Sequence, residues 1–146
     1  MECRDILLET EGNLQQALQL LKQRSLFKAE KKKARTASQG LIEAYIHTGG
    51  RLGALVEINC ETDFVARTEE FKTLAHDLAM QVVAQDPKFI SSEEVPEGET
   101  QATCLLLQPY IKNTDMTVQD IINETIAKVG ENIKVSRFSR FELGES

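Results

Sequence analysis

The chain is poor in cysteine. Cys3, Cys60 and Cys104 are far apart and odd in number, which excludes a disulfide framework and a C-x-x-C metal knuckle and points to a reducing compartment. No apolar run approaches the ~20 residues that span a bilayer. The N-terminal MECRDILLETEG also lacks the pattern of a secretory signal, so neither membrane association nor secretion is expected. Basic residues are in the minority: 17 Lys and Arg face 23 Asp and Glu, giving a net charge of −6 and a pI near 5.0. Such a chain does not displace phosphate counterions over a broad face, and no specific nucleic acid is expected as a partner. There is no G-x-x-x-x-G-K-S/T loop and no G-x-G-x-x-G fingerprint, so any bound nucleotide belongs to another protein. His47 and His76 have no neighbouring ligand pattern, and no metal or other cofactor is expected.

What is present is the material of a packed core. Of the 146 residues 41% are apolar and 27% charged, a balance for folding rather than disorder. The length suits one domain, or a small helical module followed by a larger unit.

Residues 1–24 read as two short helices broken at Gly12-Asn13, with Ile6 and Leu7 on the first. The second has Asn13 as N-cap, Gln16 at N3, and Leu14, Ala17, Leu18 and Leu21 on one face. Two such helices bury little, so a third wall is expected from a helix missing before Met1 or from the next segment. Residues 28–38, KAEKKKARTAS, read as a charged helical connector ended by Gly40; its lysines, without interleaved aromatics, suit a solvated face better than nucleic acid.

From Leu41 to Cys60 the period changes to two, and Gly49-Gly50 supplies the positive φ of a tight reversal. The alternation predicts a β-hairpin whose core face carries Ile42, Ala44 and Ile46 with Ala54, Val56, Ile58 and Cys60, leaving Glu43, Tyr45, Glu57 and Asn59 on the wetter side. Residues 69–85 place Phe71, Leu74, Ala75, Leu78, Ala79, Val82 and Val83 at helical spacing, and this helix should lie across the sheet. An acidic, proline-containing connection over 86–103 follows. A second amphipathic helix then starts at Thr117, with Asp120 at N3, and ends at Gly130. The last segment, NIKVSRFSRFEL, reads as a strand joining the hairpin, with a bulge near Arg137 where the two-residue phase breaks. The order predicts an α+β fold with an antiparallel sheet: residues 1–27 a partial helical module, 28–40 a connector and 41–146 the core domain.

Two site hypotheses follow from the residues. Cys60 with His47 would be a thiol nucleophile with a base, but the alternation puts them on opposite faces, and a cysteine in an apolar strand is usually packing. No enzyme is therefore expected. The stronger candidate is Asn59-Cys60-Glu61-Thr62-Asp63-Phe64-Val65-Ala66-Arg67, where a strand ends and polar residues crowd an apolar pair. Thr62 can cap the turn, and Asp63 at its first position is favoured by the free backbone N–H groups. Phe64 reads equally well as a core residue fastening the loop and as an apolar wedge offered to another protein.

The segment VEINCETDFVAR resembles the signature of the elongation factor Ts family, with its Thr-Asp-Phe-Val core at residues 62–65. MECRDILLETEGNLQQALQLLKQRS resembles that family's ubiquitin-associated-like N-terminal module, KKKARTASQGLIEAYIH its connector and first strand, and QPYIKN with ENIKVSRFSRFELGE its C-terminal part. The resemblance implies a guanine nucleotide exchange factor that makes the GTPase elongation factor Tu release GDP, with Thr62, Asp63, Phe64 and Val65 at the partner contact. It also implies that Met1, Cys3 and Arg4 touch the partner, and that Phe64 inserts between partner side chains. Relative to the family pattern the chain lacks a first module helix, a long helical insertion after SSEEVPEGET and a C-terminal helix. The alternative reading is accordingly a shortened paralogue that binds elongation factor Tu or the ribosome without efficient exchange. A cytoplasmic location is expected, with a plastid or the mitochondrial matrix as alternatives, and a homodimer is left open.

Overall fold

The computed structural model describes residues 13–98 and 103–145. The expected first helix, with Ile6 and Leu7, and the expected contacts at Met1, Cys3 and Arg4 lie outside the described residues. The order is helix α1 (Leu14–Lys32), strands β1 (Gln39–Ile46) and β2 (Leu52–Cys60), the short helix α2 (Asp63–Ala66), helix α3 (Glu69–Gln85), a small hairpin β3 (Pro109–Tyr110) and β4 (Asn113–Thr117), helix α4 (Val118–Val129) and strand β5 (Ile133–Glu142). This is the α+β architecture expected, with the antiparallel sheet ordered β1-β2-β5.

The helices start where side chains can satisfy free N–H groups. Asn13 accepts from Gln16 N at 3.0 Å, Thr68 from Phe71 N at 3.3 Å, and Thr117 with Asp120 forms a reciprocal capping box. Gly130 ends α4 in the left-handed region, as anticipated. The predicted apolar face of α3 is buried throughout, and the helix crosses β1 and β2.

Three sequence readings are corrected. First, α1 does not break near residue 24 or run on to Gly40; it is one helix to Lys32, because KAEKK continues the run of good helix formers. Its third wall is α4, packed against it from far along the chain, and Lys22 joins the contact through the Asp115 carbonyl at 2.6 Å and the Asp120 carboxylate at 3.5 Å. Leu14, expected on the buried face, is exposed.

Second, Gly40 lies inside β1 rather than capping a helix, at φ +141°, and a Cβ there would stand 2.0 Å from the Ile58 carbonyl oxygen. Third, the inner face of β1 is the opposite one. Leu41 pairs with Ile58, Glu43 with Val56 and Tyr45 with Ala54, so the odd positions of β1 share the core face with the even positions of β2. Ile42 and Ile46 are 62% and 66% exposed, while Leu41 and Tyr45 pack against the core. Register, set by the turn, decides which alternate set is inward. The bulge falls near Arg137 as expected: Glu57 pairs with Arg137 and Ile58 with Val135, leaving Ser136 unpaired.

The β3–β4 hairpin was not foreseen. It is fastened to α3 by buried polar groups: Gln81 donates to Gln108 and to the Pro109 carbonyl and accepts from Ile111 N, and the Tyr110 hydroxyl donates to Asp77 at 2.7 Å.

Candidate functional site

At Cys60 the strand β2 ends, and the chain reverses through Glu61 and Thr62 into the single turn of α2. Thr62 is its N-cap, accepting from Val65 N at 3.3 Å, with Asp63 at the first helical position as the sequence suggested. Val65 and Ala66 face inward, Ala66 buried and Val65 packed on the core. Thr68 then donates to the Val65 carbonyl at 2.7 Å and caps α3, so the turn runs straight into the best-packed helix.

Phe64 points the other way. It is 74% exposed, with the Arg67 guanidinium over its ring at 5.8 Å and the same guanidinium bonded to the Asp63 carboxylate. Of its two readings, the core-fastening one is ruled out by this exposure. Phe64 is thus an apolar side chain projecting into solvent from a one-turn helix. Neither Asp63 nor Phe64 lines the groove of about 590 Å³ between α1, α4 and β5 or that of about 570 Å³ on the outer sheet face. Small molecules are held in concavities, whereas a projecting ring suits a protein partner.

The turn is backed by residues distant in sequence. Glu131, at the corner between α4 and β5, accepts from Thr62 N at 2.9 Å and from the Thr62 hydroxyl at 2.8 Å. In the opposite direction, Glu61 accepts from Asn132 N at 2.8 Å. Asn132 in turn donates to the Arg35 carbonyl at 2.8 Å, and the Arg35 guanidinium lies 3.7 Å from Glu61. These supporting residues were not singled out from the sequence; the only local hint is a carboxylate at each element corner, Glu61 after β2 and Glu131 after Gly130.

The thiol hypothesis fails, though not for the reason the alternation gave. His47 follows the inward parity of β1, so it is on the same side as Cys60. The two are nevertheless separated by the whole length of β1, roughly 25 Å at ~3.3 Å per residue, since Cys60 pairs with Gln39. Cys60 is buried and donates to the Thr62 carbonyl at 3.1 Å. Burial, with the negative charges of Glu131 and Glu61, pushes its thiol up to about 11, the reverse of an activated nucleophile. His47 Nδ1 is 3.1 Å from the Tyr45 hydroxyl, and the His76 ring meets Tyr45 edge-on at 5.7 Å. Among the described residues no group of three His, Cys, Asp or Glu could hold a metal ion, and no helix is long and apolar enough to cross a membrane.

Residues 25–102, just over half of the chain, match the family model described as "Elongation factor TS". The chain belongs to the elongation factor Ts family. It is 46% identical to the elongation factor Ts of Heliobacterium modesticaldum, the match covering 99% of this chain and 83% of that one. Against those of Carboxydothermus hydrogenoformans and Caldanaerobacter subterraneus the identities are 45% and 43%, covering 82% and 89% of the relatives. The first of these matches runs over 178 positions, more than the 146 residues of the chain, so that relative carries residues within the span that this chain lacks. Membership assigns the chain to translation elongation, and the matched region contains the whole turn from Thr62 to Val65.

Proposed function

We propose that this chain is a guanine nucleotide exchange factor that binds elongation factor Tu and speeds the release of GDP, without covalent chemistry of its own. The observation that carries the reading is the Phe64 ring, exposed on a backbone turn pinned from behind by Glu131. Family membership supplies the partner; the turn supplies the means. Residues 41–146 form the core that presents Thr62, Asp63, Phe64 and Val65, and the segment 1–27, with Met1, Cys3 and Arg4, supplies a second contact in this reading. The cytoplasm is the proposed location.

The energetics follow from linkage. If the factor binds the nucleotide-free GTPase more tightly than the GDP form, GDP weakens factor binding by the same free energy, commonly ~1–3 kcal/mol for coupled sites. An apolar ring driven between partner side chains gives such a difference when the space it needs is open only in the nucleotide-free state. The fixed turn matters because a loose one would lose to its own ordering the energy that otherwise strains the GDP-bound partner.

The test is release of labelled GDP from elongation factor Tu at increasing concentrations of the full chain. Acceleration that saturates is expected. A measurable complex with GDP retained at saturation would overturn the exchange reading and leave a binding protein without efficient exchange, the alternative favoured by the residues its relative carries within the aligned span.

A further inference from the structure

A helix of four residues cannot hold a direction by its own hydrogen bonds, because helix nucleation costs more than one turn returns. The orientation of α2 must come from outside it. Glu131 places one carboxylate oxygen on the Thr62 amide and the other on the Thr62 hydroxyl, at 2.9 and 2.8 Å. Two charge-assisted bonds from one carboxylate to one residue fix rotation as well as position. They also set the polarity of the cap. A hydroxyl has a single proton; with it committed to Glu131, the lone pairs of Thr62 Oγ1 are left for the Val65 amide at 3.3 Å.

The adjacent residues repeat the arrangement in reverse, Glu61 accepting from Asn132 N, so each corner gives a carboxylate to the backbone of the other. Asn132 also donates to the Arg35 carbonyl at 2.8 Å, which ties the segment after α1 to the same point. Phe64 itself is left in solvent.

We propose that Glu131 is a positioning residue, aiming the Asp63–Phe64 turn through Thr62, and that Asn132 extends the bracket to the segment between α1 and β1. The functional half rests on the exchange reading; the structural half does not. Without Glu131 the packing of Val65 and Ala66 and the Thr68 bond remain, but the start of the turn loses its anchor and its aim slackens, so the maximal rate suffers more than the affinity.

The experiment takes Glu131→Ala, Glu131→Gln and Thr62→Val in the full chain and reads two quantities: GDP release across a range of factor concentrations, and amide hydrogen exchange resolved at Thr62–Val65 and along α3. Glu131→Ala should lower maximal release about tenfold, the scale of a lost charge-assisted bond with its donors orphaned. The concentration for half effect should shift less. The Thr62 amide should exchange about tenfold faster with α3 unchanged. Glu131→Gln, which keeps one acceptor oxygen, should fall between, and Glu131→Ala placed on Thr62→Val should add less than it does alone.

A Thr62 amide exchanging as in the parent, or a uniform acceleration through α3, would overturn the assignment. A freed Thr62 amide with release unchanged would overturn its functional half. If the parent chain does not speed GDP release from elongation factor Tu, the exchange reading fails separately, and Thr62 exchange still decides the positioning role.

Discussion

Phe64 separates two kinds of contribution that a single side chain can make. Truncating a core phenylalanine to alanine costs ~3–5 kcal/mol, but this ring is 74% exposed, with the Arg67 guanidinium over it. Phe64→Ala should therefore cost less than ~1 kcal/mol of stability, while at an interface centre the same truncation costs ~2 kcal/mol or more of binding. The expected result is an almost unchanged melting temperature with GDP release reduced at least tenfold or so. A large fall in melting temperature with release intact would make the ring a structural residue. Asp63 contributes little to folding on its own, since its pairing with Arg67 is between exposed groups four residues apart. Its carboxylate holds the Arg67 guanidinium near the Phe64 ring. The cap at Thr62 and the first-turn place of Asp63 were legible in the sequence because capping is a contact within four residues. The direction of Phe64 was not, because burial depends on what lies behind the turn.

At the scale of elements, periodicity foretold α3 and α4 almost residue for residue, since an amphipathic helix with its own caps carries its whole description locally. The hairpin was harder. Its strands and turn were legible, but Ile42, Ala44 and Ile46 looked inward on hydrophobicity alone, and the pairing of Tyr45 with Ala54 reverses them. Alternation says that two faces differ; only register says which is covered. Gly40 offers the sharpest test of the observed register. Any side chain there meets the Ile58 carbonyl at 2.0 Å and a φ of +141° that L-residues rarely adopt. Gly40→Ala should lower stability by at least ~1–3 kcal/mol, seen as a lower urea midpoint, whereas Gly49→Ala, with open space around its Cβ, pays only for its backbone and should cost less. Equal effects at the two positions would contradict the close packing of β1 on β2.

For the whole molecule, alkali should be the weakness. Burial pushes the Cys60 thiol from an ordinary 9.0 up to about 11. It also raises Tyr110, whose hydroxyl is further held protonated by its hydrogen bond to Asp77. Both groups fold neutral, so their contribution is complete below their ordinary values and is lost as pH climbs toward the folded ones. Between about pH 9 and 11 the unfolded chain has released the Cys60 proton and the folded chain has not, and the unfolding free energy falls with pH. Urea midpoints measured from about pH 8 to 10.5 should decline, and less steeply for Cys60→Ser, which has no thiol to ionise. A flat midpoint for the parent would show that Cys60 is not held neutral by the fold. The same buried cysteine lies beside the Glu131–Thr62 contact, so loosening of the site and alkaline loosening of the core should begin at the same corner.

Neighbouring residues settle the helix caps, the apolar faces of α3 and α4, the existence of the hairpin and its bulged third strand, and the segment Thr62–Val65 as the candidate site. Those features depend on contacts within a turn or on a short period, and on side-chain chemistry. The remainder came from long-range packing. It chose the inward face of β1, gave α1 its third wall in α4, and buried Cys60 out of reach of His47. It also brought Glu61 and Thr62 together with Glu131 and Asn132, so that a four-residue helix presents a phenylalanine to solvent in one orientation. Those choices join residues some 70 positions apart. No local pattern encodes such pairings, because their free energy exists only once both corners have been brought to the same place.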